Sequence, residues 1–194
     1  AITAANPKIK RKMEVDTEIA RLRVLEGQYK KNLFALQDKI RKTYPEAIRQ
    51  QTLYLERLRA DIATVKANYN PDVFTINVEG KTYTDKKEGG QALMDALMHN
   101  RNETVVAEYG GLKIALEPMV MLIGERSISL SGAGKYTMEI GQSASGLITR
   151  LDNFLTAFPE KEGKAENKLE QIKHDLSVAE EQVGKPFEHR EHLA

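Results

Sequence analysis

Apolar residues return at steps of three and four at both ends of this chain, and no other feature so limits what it can fold into. Val15, Ile19, Leu22, Leu25, Tyr29, Leu33, Leu36 and Ile40 make the first stripe. Leu55, Leu58, Ile62, Val65 and Tyr69 make a second, and Ala165, Leu169, Ile172, Leu176, Ala179 and Val183 a third. Such spacing keeps one narrow face in line along a helix, as wide as a second helix needs to pack against it. Pro7 is tolerated at a helix start, where its missing N–H has no partner to lose. Gly27 falls inside the first stripe at a cost of about 1 kcal/mol relative to alanine, which suits a bend or a close helix approach. Tyr44-Pro45 is expected to break or kink the helix, because proline disfavours helical backbone in the residue before it. A short antiparallel hairpin of two helices is the expectation there, ending at Asn70-Pro71.

The rhythm then changes to a period of two. Phe74, Ile76 and Val78 alternate with Thr75 and Asn77, Glu79-Gly80 supplies a turn, and Tyr83 lies on the return strand. Asp85 can cap a helix that runs through Ala92, Leu93, Ala96 and Leu97. Strands are predicted at Thr104–Tyr109, Leu112–Glu117, Arg126–Ser131 and Lys135–Ile140, with Gly110-Gly111 and Gly132-Ala133-Gly134 at turns. After Gly141 helix returns, capped by Ser143 or Ser145 and interrupted at Pro159, and Gly184 with Pro186 ends the last helix. The fold expected is α+β: long antiparallel coiled-coil helices with a small, mainly antiparallel β-sheet head containing one helix. Residues 1–70 and 142–194 form the two parts of the helical stalk, and residues 71–141 the head.

Composition removes several function classes. The chain of 194 residues has no cysteine, so disulfides, thiolate metal sites and cysteine nucleophiles are excluded. A reducing, cytoplasmic setting is expected. No apolar run approaches the roughly 20 residues of a membrane helix. The first seven residues lack the charged-then-apolar order of a signal peptide and read like a chain entered midway. The net charge of +1 conceals an asymmetry. Residues 1–70 carry 15 Lys/Arg against 8 Asp/Glu, a balance of +7, and residues 71–194 carry 14 against 20, a balance of −6. The basic part suits nucleic-acid phosphates or, equally, the acidic part of its own chain.

Few motifs carry chemistry. Gly132-Ala133-Gly134-Lys135 invites a phosphate-loop reading, but Ser129 stands where the first glycine is needed and Tyr136 where a metal-binding hydroxyl is needed, so a strand turn is expected. Gly141-Gln142-Ser143-Ala144-Ser145 resembles a nucleophile elbow but ends in serine, and a helix cap is expected instead. Ser143, Ser145, Gly146, Thr149 and Arg150 gather at that helix start, where free N–H groups favour an anion, with plain capping as the alternative. His189 and His192 stand one turn apart but lack a third ligand. The basic residues Lys8, Lys10, Arg11, Lys12, Lys30 and Lys31, with Arg150 after them, are the candidates for contact with a nucleic-acid backbone. Aromatic residues between them are sparse (Tyr29, Phe34, Tyr44), which argues against a base-stacking surface.

Several runs in order carry a resemblance. They are Asn6-Pro7-Lys8-Ile9 with Lys12-Met13 and Asp16; Tyr44-Pro45; Gly80-Lys81-Thr82-Tyr83-Thr84-Asp85-Lys86-Lys87; Tyr109 with Gly111; Gly146, Ile148 and Arg150-Leu151-Asp152-Asn153; and Pro186-Phe187. In these the chain resembles very large bacterial and phage proteins of mobile elements that join a DEAD/DEAH-type helicase to an adenine-specific DNA methyltransferase. The resemblance implies an accessory region just after the helicase motor, with DNA and the remaining domains of the parent protein as partners. It implies no activity or cofactor for this stretch itself. The sequence lacks the parts those activities need. Asn6-Pro7-Lys8-Ile9 and Asn70-Pro71-Asp72-Val73 lack the second proline and the aromatic of a loop that holds a flipped adenine. No glycine-rich turn for S-adenosylmethionine and no Asp-Glu-x-His box for ATP hydrolysis is present.

Overall fold

The computed structural model describes residues 7–101, 103–118 and 126–187 of the chain. Helix α1 (Pro7–Asp38) begins at the proline that its first turn tolerates. It does not stop at Tyr44-Pro45. A π-turn (Lys39–Thr43) joins it to α2 (Tyr44–Asn68), and the helical run is unbroken from Pro7 to Asn68. The expected hairpin is therefore absent, and the reason is local. A proline inside an α-helix loses one hydrogen bond and drives its ring against the carbonyl four residues back. Here the turn before Pro45 is widened, with the Tyr44 N–H donating to the Lys39 carbonyl five residues back, which makes room for the ring.

The chain divides by packing into two units. One contains residues 1–50 and 169–194, the other residues 51–168. In the first, α1 runs against the end of α5 (Phe158–Val183). The stripe read from the sequence faces this contact: Leu22 is buried, and Ile19, Leu25, Tyr29, Leu33, Leu36 and Ile40 are partly covered. Val15 lies beyond it and is exposed. On α5 the matching positions are Ile172, Leu176, Ala179 and Val183. The Tyr29 hydroxyl donates to the Lys185 carbonyl at 2.6 Å, and its ring stands 5.4 Å from that of Phe187. Gly27 has no atom within 4 Å of where a Cβ would stand, so nothing in the chain requires its small size.

The second unit is built on a six-stranded antiparallel sheet of order β2-β1-β3-β4-β5-β6. Its strands are β1 (Ile76–Val78), β2 (Lys81–Tyr83), β3 (Val105–Tyr109), β4 (Leu112–Leu116), β5 (Ser127–Ser131) and β6 (Lys135–Glu139), all within a residue or two of the predicted positions. Helix α3 (Lys86–His99) lies between β2 and β3 in the chain and is capped by Asp85, whose Oδ1 accepts from the N–H groups of Lys87 and Glu88. Helix α4 (Ala144–Thr156) is capped by Ser143, whose hydroxyl accepts from the Gly146 N–H at 3.1 Å. Although residues 142–156 read from sequence as stalk, α4 packs on α3: a Cβ on Gly90 would stand 3.0 Å from the Ala144 carbonyl oxygen.

Alternation decides which face of the sheet is covered. Ile76, Tyr109, Leu112, Ile114, Ile128 and Leu130 point to the helical side and are buried. Each such side chain stabilises the fold by about 1.5–3 kcal/mol relative to exposure. Glu108, Lys113, Lys135 and Thr137 point the other way and are exposed. The β3–β4 turn needs both its glycines in left-handed backbone, with φ of +57° at Gly110 and +80° at Gly111. A Cβ on Gly111 would stand 2.7 Å from Thr64 Cγ2 on α2, whereas a Cβ on Gly80 (φ +85°) would meet nothing within 4 Å. Gly111→Ala is thus expected to cost about 2 kcal/mol in urea unfolding and Gly80→Ala about 1 kcal/mol, the difference reporting the tight approach of α2. Equal losses would show that this approach yields without strain.

Candidate nucleic-acid interface

Of the predicted contact residues, the structure brings three onto one side of α1. Lys8, Arg11 and Lys12 stand at i, i+3 and i+4 and are all exposed. Lys10 faces another side of the same turns. Lys30 and Lys31 follow about 27 Å further along the helix axis, at about 1.5 Å per residue. Lys30 pairs with Glu26 at 2.6 Å, as Arg21 does with Glu18 at 3.5 Å, both within α1. Lys10, Arg11, Lys12 and Lys31 form no ion pair among the described residues. Arg150 belongs to the other unit, where it pairs with Glu139 at 3.5 Å and lies over Gly141. One basic residue does reach the acidic last helix: Arg59 holds Glu162 at 2.7 Å and also binds Glu166.

The sequence did not single out the two carboxylates that organise the sheet unit. Asp61, on α2, is 1% exposed. Its oxygens accept from the Ala133 N–H at 2.6 Å, the Gly134 N–H at 2.8 Å and the Tyr136 hydroxyl at 2.7 Å. The Gly132-Ala133-Gly134 run is thus a hairpin turn that cradles a carboxylate of its own chain, as the rejection of a phosphate loop requires. A Cβ on Gly132 would collide with Asp61 Oδ1. Burial, then Asp61, push the Tyr136 phenol well above its ordinary range.

Asp152, on α4, gathers the Tyr109 hydroxyl, the Tyr69 hydroxyl at 3.0 Å and the Lys86 ammonium at 3.0 Å. Its partners come from β3, the residue after α2, and the start of α3. Burial alone would raise its pKa, but the hydrogen bonds from Tyr109, Lys86 and Tyr69 outweigh that and hold the carboxyl below its ordinary range. Tyr69 is pushed up to about 12, by burial first and by the carboxylate second, and Tyr109 rises for the same two reasons. Both carboxylates therefore have their oxygens committed to the fold.

The remaining sequence candidates fall into place as local structure. The hydroxyls of Ser143 and Thr149 are spent on α4 itself, the latter donating to the Ser145 carbonyl at 3.0 Å. His189 and His192 lie outside the described residues. Among the described residues no three His, Asp or Glu side chains gather as metal ligands, and no helix is long and apolar enough to cross a membrane. A depression of about 930 Å³ runs between β2 and α3 and is lined by Lys81, Tyr83, Glu88, Gln91, Asp95 and His99 among others. Its charges are mixed and partly paired with the chain, as with His99 Nδ1 on the Asp95 carbonyl oxygen. No protein-family model, curated protein or solved structure matches this chain.

Proposed function

We propose that this chain is a non-catalytic accessory module of a larger DNA helicase and adenine-specific DNA methyltransferase, positioning the motor or contacting the DNA backbone through α1. The observation that carries the reading is the charge of Lys10, Arg11, Lys12 and Lys31, exposed on one helix and held in no ion pair among the described residues. Phosphate contact needs positive charge and reach, and no shaped pocket. The parent activity rests on the sequence resemblance alone, and the cytoplasmic setting on the absence of cysteine. Arg150 is the least available of the proposed contacts, since a contact there must compete with Glu139.

A salt titration of duplex binding tests the DNA contact. Micromolar binding is expected, with log Kd rising against log salt by about 0.9 for each phosphate engaged. Reversing Lys10, Arg11 and Lys12 to glutamate is expected to lower that slope by about three units. Binding that is absent, or flat in salt, would support the second reading, a purely structural or partner-docking coiled coil without nucleic-acid contact. Arg59 between Glu162 and Glu166 favours that alternative, because there the basic and acidic helices of the chain already satisfy each other.

A further inference from the structure

Within the sheet unit, α2 and the first turns of α5 meet along a seam whose two flanks differ in charge. The buried Gln51 marks its centre, where Nε2 donates to the Ala165 carbonyl at 3.0 Å. A helix turns by about 100° per residue, so Glu162 and Glu166 fall to one side of Ala165 and Lys161, Lys164 and Lys168 to the other. On the acidic flank, Arg59 of α2 reaches both glutamates and the charge is matched. The basic flank opens into a groove of about 370 Å³, lined by Gln51, Tyr54, Lys161, Lys164, Ala165 and Lys168. No carboxylate is among them. On α2, Gln50 and Arg57 stand about a turn to either side of Tyr54 and bring none. Asp61, further along, has its oxygens committed to the β5–β6 turn.

A cation drawn out of water is costly unless an anion stands against it. Lys161 is half-buried and forms no ion pair among the described residues. Its Nζ stands 4.0 Å from the centroid of the Phe154 ring, which offsets part of that cost. Burial first, and the Lys164 charge second, hold the Lys161 ammonium below its ordinary range. Lys164 is itself paired with Glu160 at 2.5 Å, both well exposed. Lys168 forms no ion pair among the described residues, and the Tyr54 hydroxyl no hydrogen bond. The groove therefore gathers donors and positive charge that the chain does not use.

We propose that this groove binds a phosphate-type anion carrying two or more negative charges, held by the ammonium groups of Lys161, Lys164 and Lys168 and by the Tyr54 hydroxyl. A carboxylate neutralises one cation, whereas a phosphate or diphosphate group spans several and accepts a hydrogen bond from each. A free phosphate compound and a nucleic-acid backbone offer the same chemistry, and the test separates them. The inference does not rest on the α1 reading, whose cations lie on another helix.

Calorimetric titration of the full chain with sodium pyrophosphate is the direct test, at about 0.1 M salt so that distant charges are screened. One saturable site with Kd below about 1 mM is expected. Acetate should give no saturable heat. Lys161→Met keeps a long side chain over Phe154 without the charge and is expected to weaken pyrophosphate roughly tenfold. Lys168→Ala and Tyr54→Phe should each weaken it roughly threefold. Both positions are exposed, so these two variants test the groove even if Lys161→Met loses structure, which circular dichroism would show. Lys173→Met, on the same helix outside the groove, removes an equal charge and should leave the affinity unchanged. Duplex titrations of Lys161→Met and Lys168→Ala give the source of the phosphate. A matching loss assigns the groove to the DNA backbone, and unchanged duplex affinity to a free phosphate compound. Absence of a saturable pyrophosphate site, equal affinity in all three groove variants, or acetate bound as tightly would overturn the proposal.

Discussion

Asp61→Ala is expected to remove about 3–5 kcal/mol from the stability of the sheet unit, the largest effect of any single polar substitution in it. Three donors point at this carboxylate: two backbone N–H groups of the β5–β6 turn and the Tyr136 hydroxyl. The two N–H groups cannot turn elsewhere without moving backbone. Each buried donor left without an acceptor costs about 1–3 kcal/mol, and water entering the vacated space recovers part of it. Asp61→Asn keeps the volume but offers one acceptor oxygen and presents an NH₂ to donors, so a loss of about 2–4 kcal/mol is expected. Tyr136→Phe removes one hydrogen bond and leaves the two N–H contacts, for about 1 kcal/mol. Urea unfolding measures all three, and an unchanged slope would show that the difference lies in stability and not in compactness. The double variant Asp61→Ala with Tyr136→Phe should cost clearly less than the sum of the singles, because they share a bond. A loss below about 1 kcal/mol for Asp61→Ala would mean that the turn finds other acceptors and that Asp61 does not anchor it.

That anchor shows where sequence reading stops. The helices and strands were legible because their periods differ, and the turns of three strand pairs, β1–β2, β3–β4 and β5–β6, are marked by glycines. Pro45 misled, since the rule against proline in helices is local and the π-turn that relieves it has no residue signature. Asp61 stands one position from Ile62, which the stripe nominates, and looks like any charged residue on a helix. Its partners are 72, 73 and 75 residues away. No periodicity reports such a distance. The cations of α1 were legible by type, and the Lys30–Glu26 pair by its i,i+4 spacing. That Lys10 and Arg11 form no ion pair with Glu14 among the described residues was not, although Glu14 stands four and three positions after them.

Asp152→Ala is the second large expectation, about 2–4 kcal/mol, since it strips the acceptor from two phenols and an ammonium at once. Its more particular signature is in pH. The Asp152 carboxyl is held below its ordinary range in the folded chain, so its contribution is complete above the unfolded pKa of about 3.9 and is lost as pH falls through the folded value. Asp152→Asn should therefore be less stable than the parent at neutral pH and close the gap as the solution is acidified. Glu46, held at about 2 by Arg49 and Gln50, also titrates in that window, but on an exposed helix, and it does so in both proteins. The alkaline limb runs the opposite way. Tyr69, Tyr109 and Tyr136 have raised pKa values, so what they contribute is complete below the ordinary tyrosine value of about 10 and is lost as pH rises through the folded values, about 12 for Tyr69. Removing the Asp152 charge should lower the ionisation of Tyr69 and Tyr109 toward the ordinary range, though not fully, because burial is the larger cause for both. Tyr136 answers to burial and Asp61 and should not move. Ultraviolet titration of the tyrosines in Asp152→Asn and Asp61→Asn would then shift different phenols. If both variants shifted the same ones, the two carboxylates would form one electrostatic network rather than two separate ties.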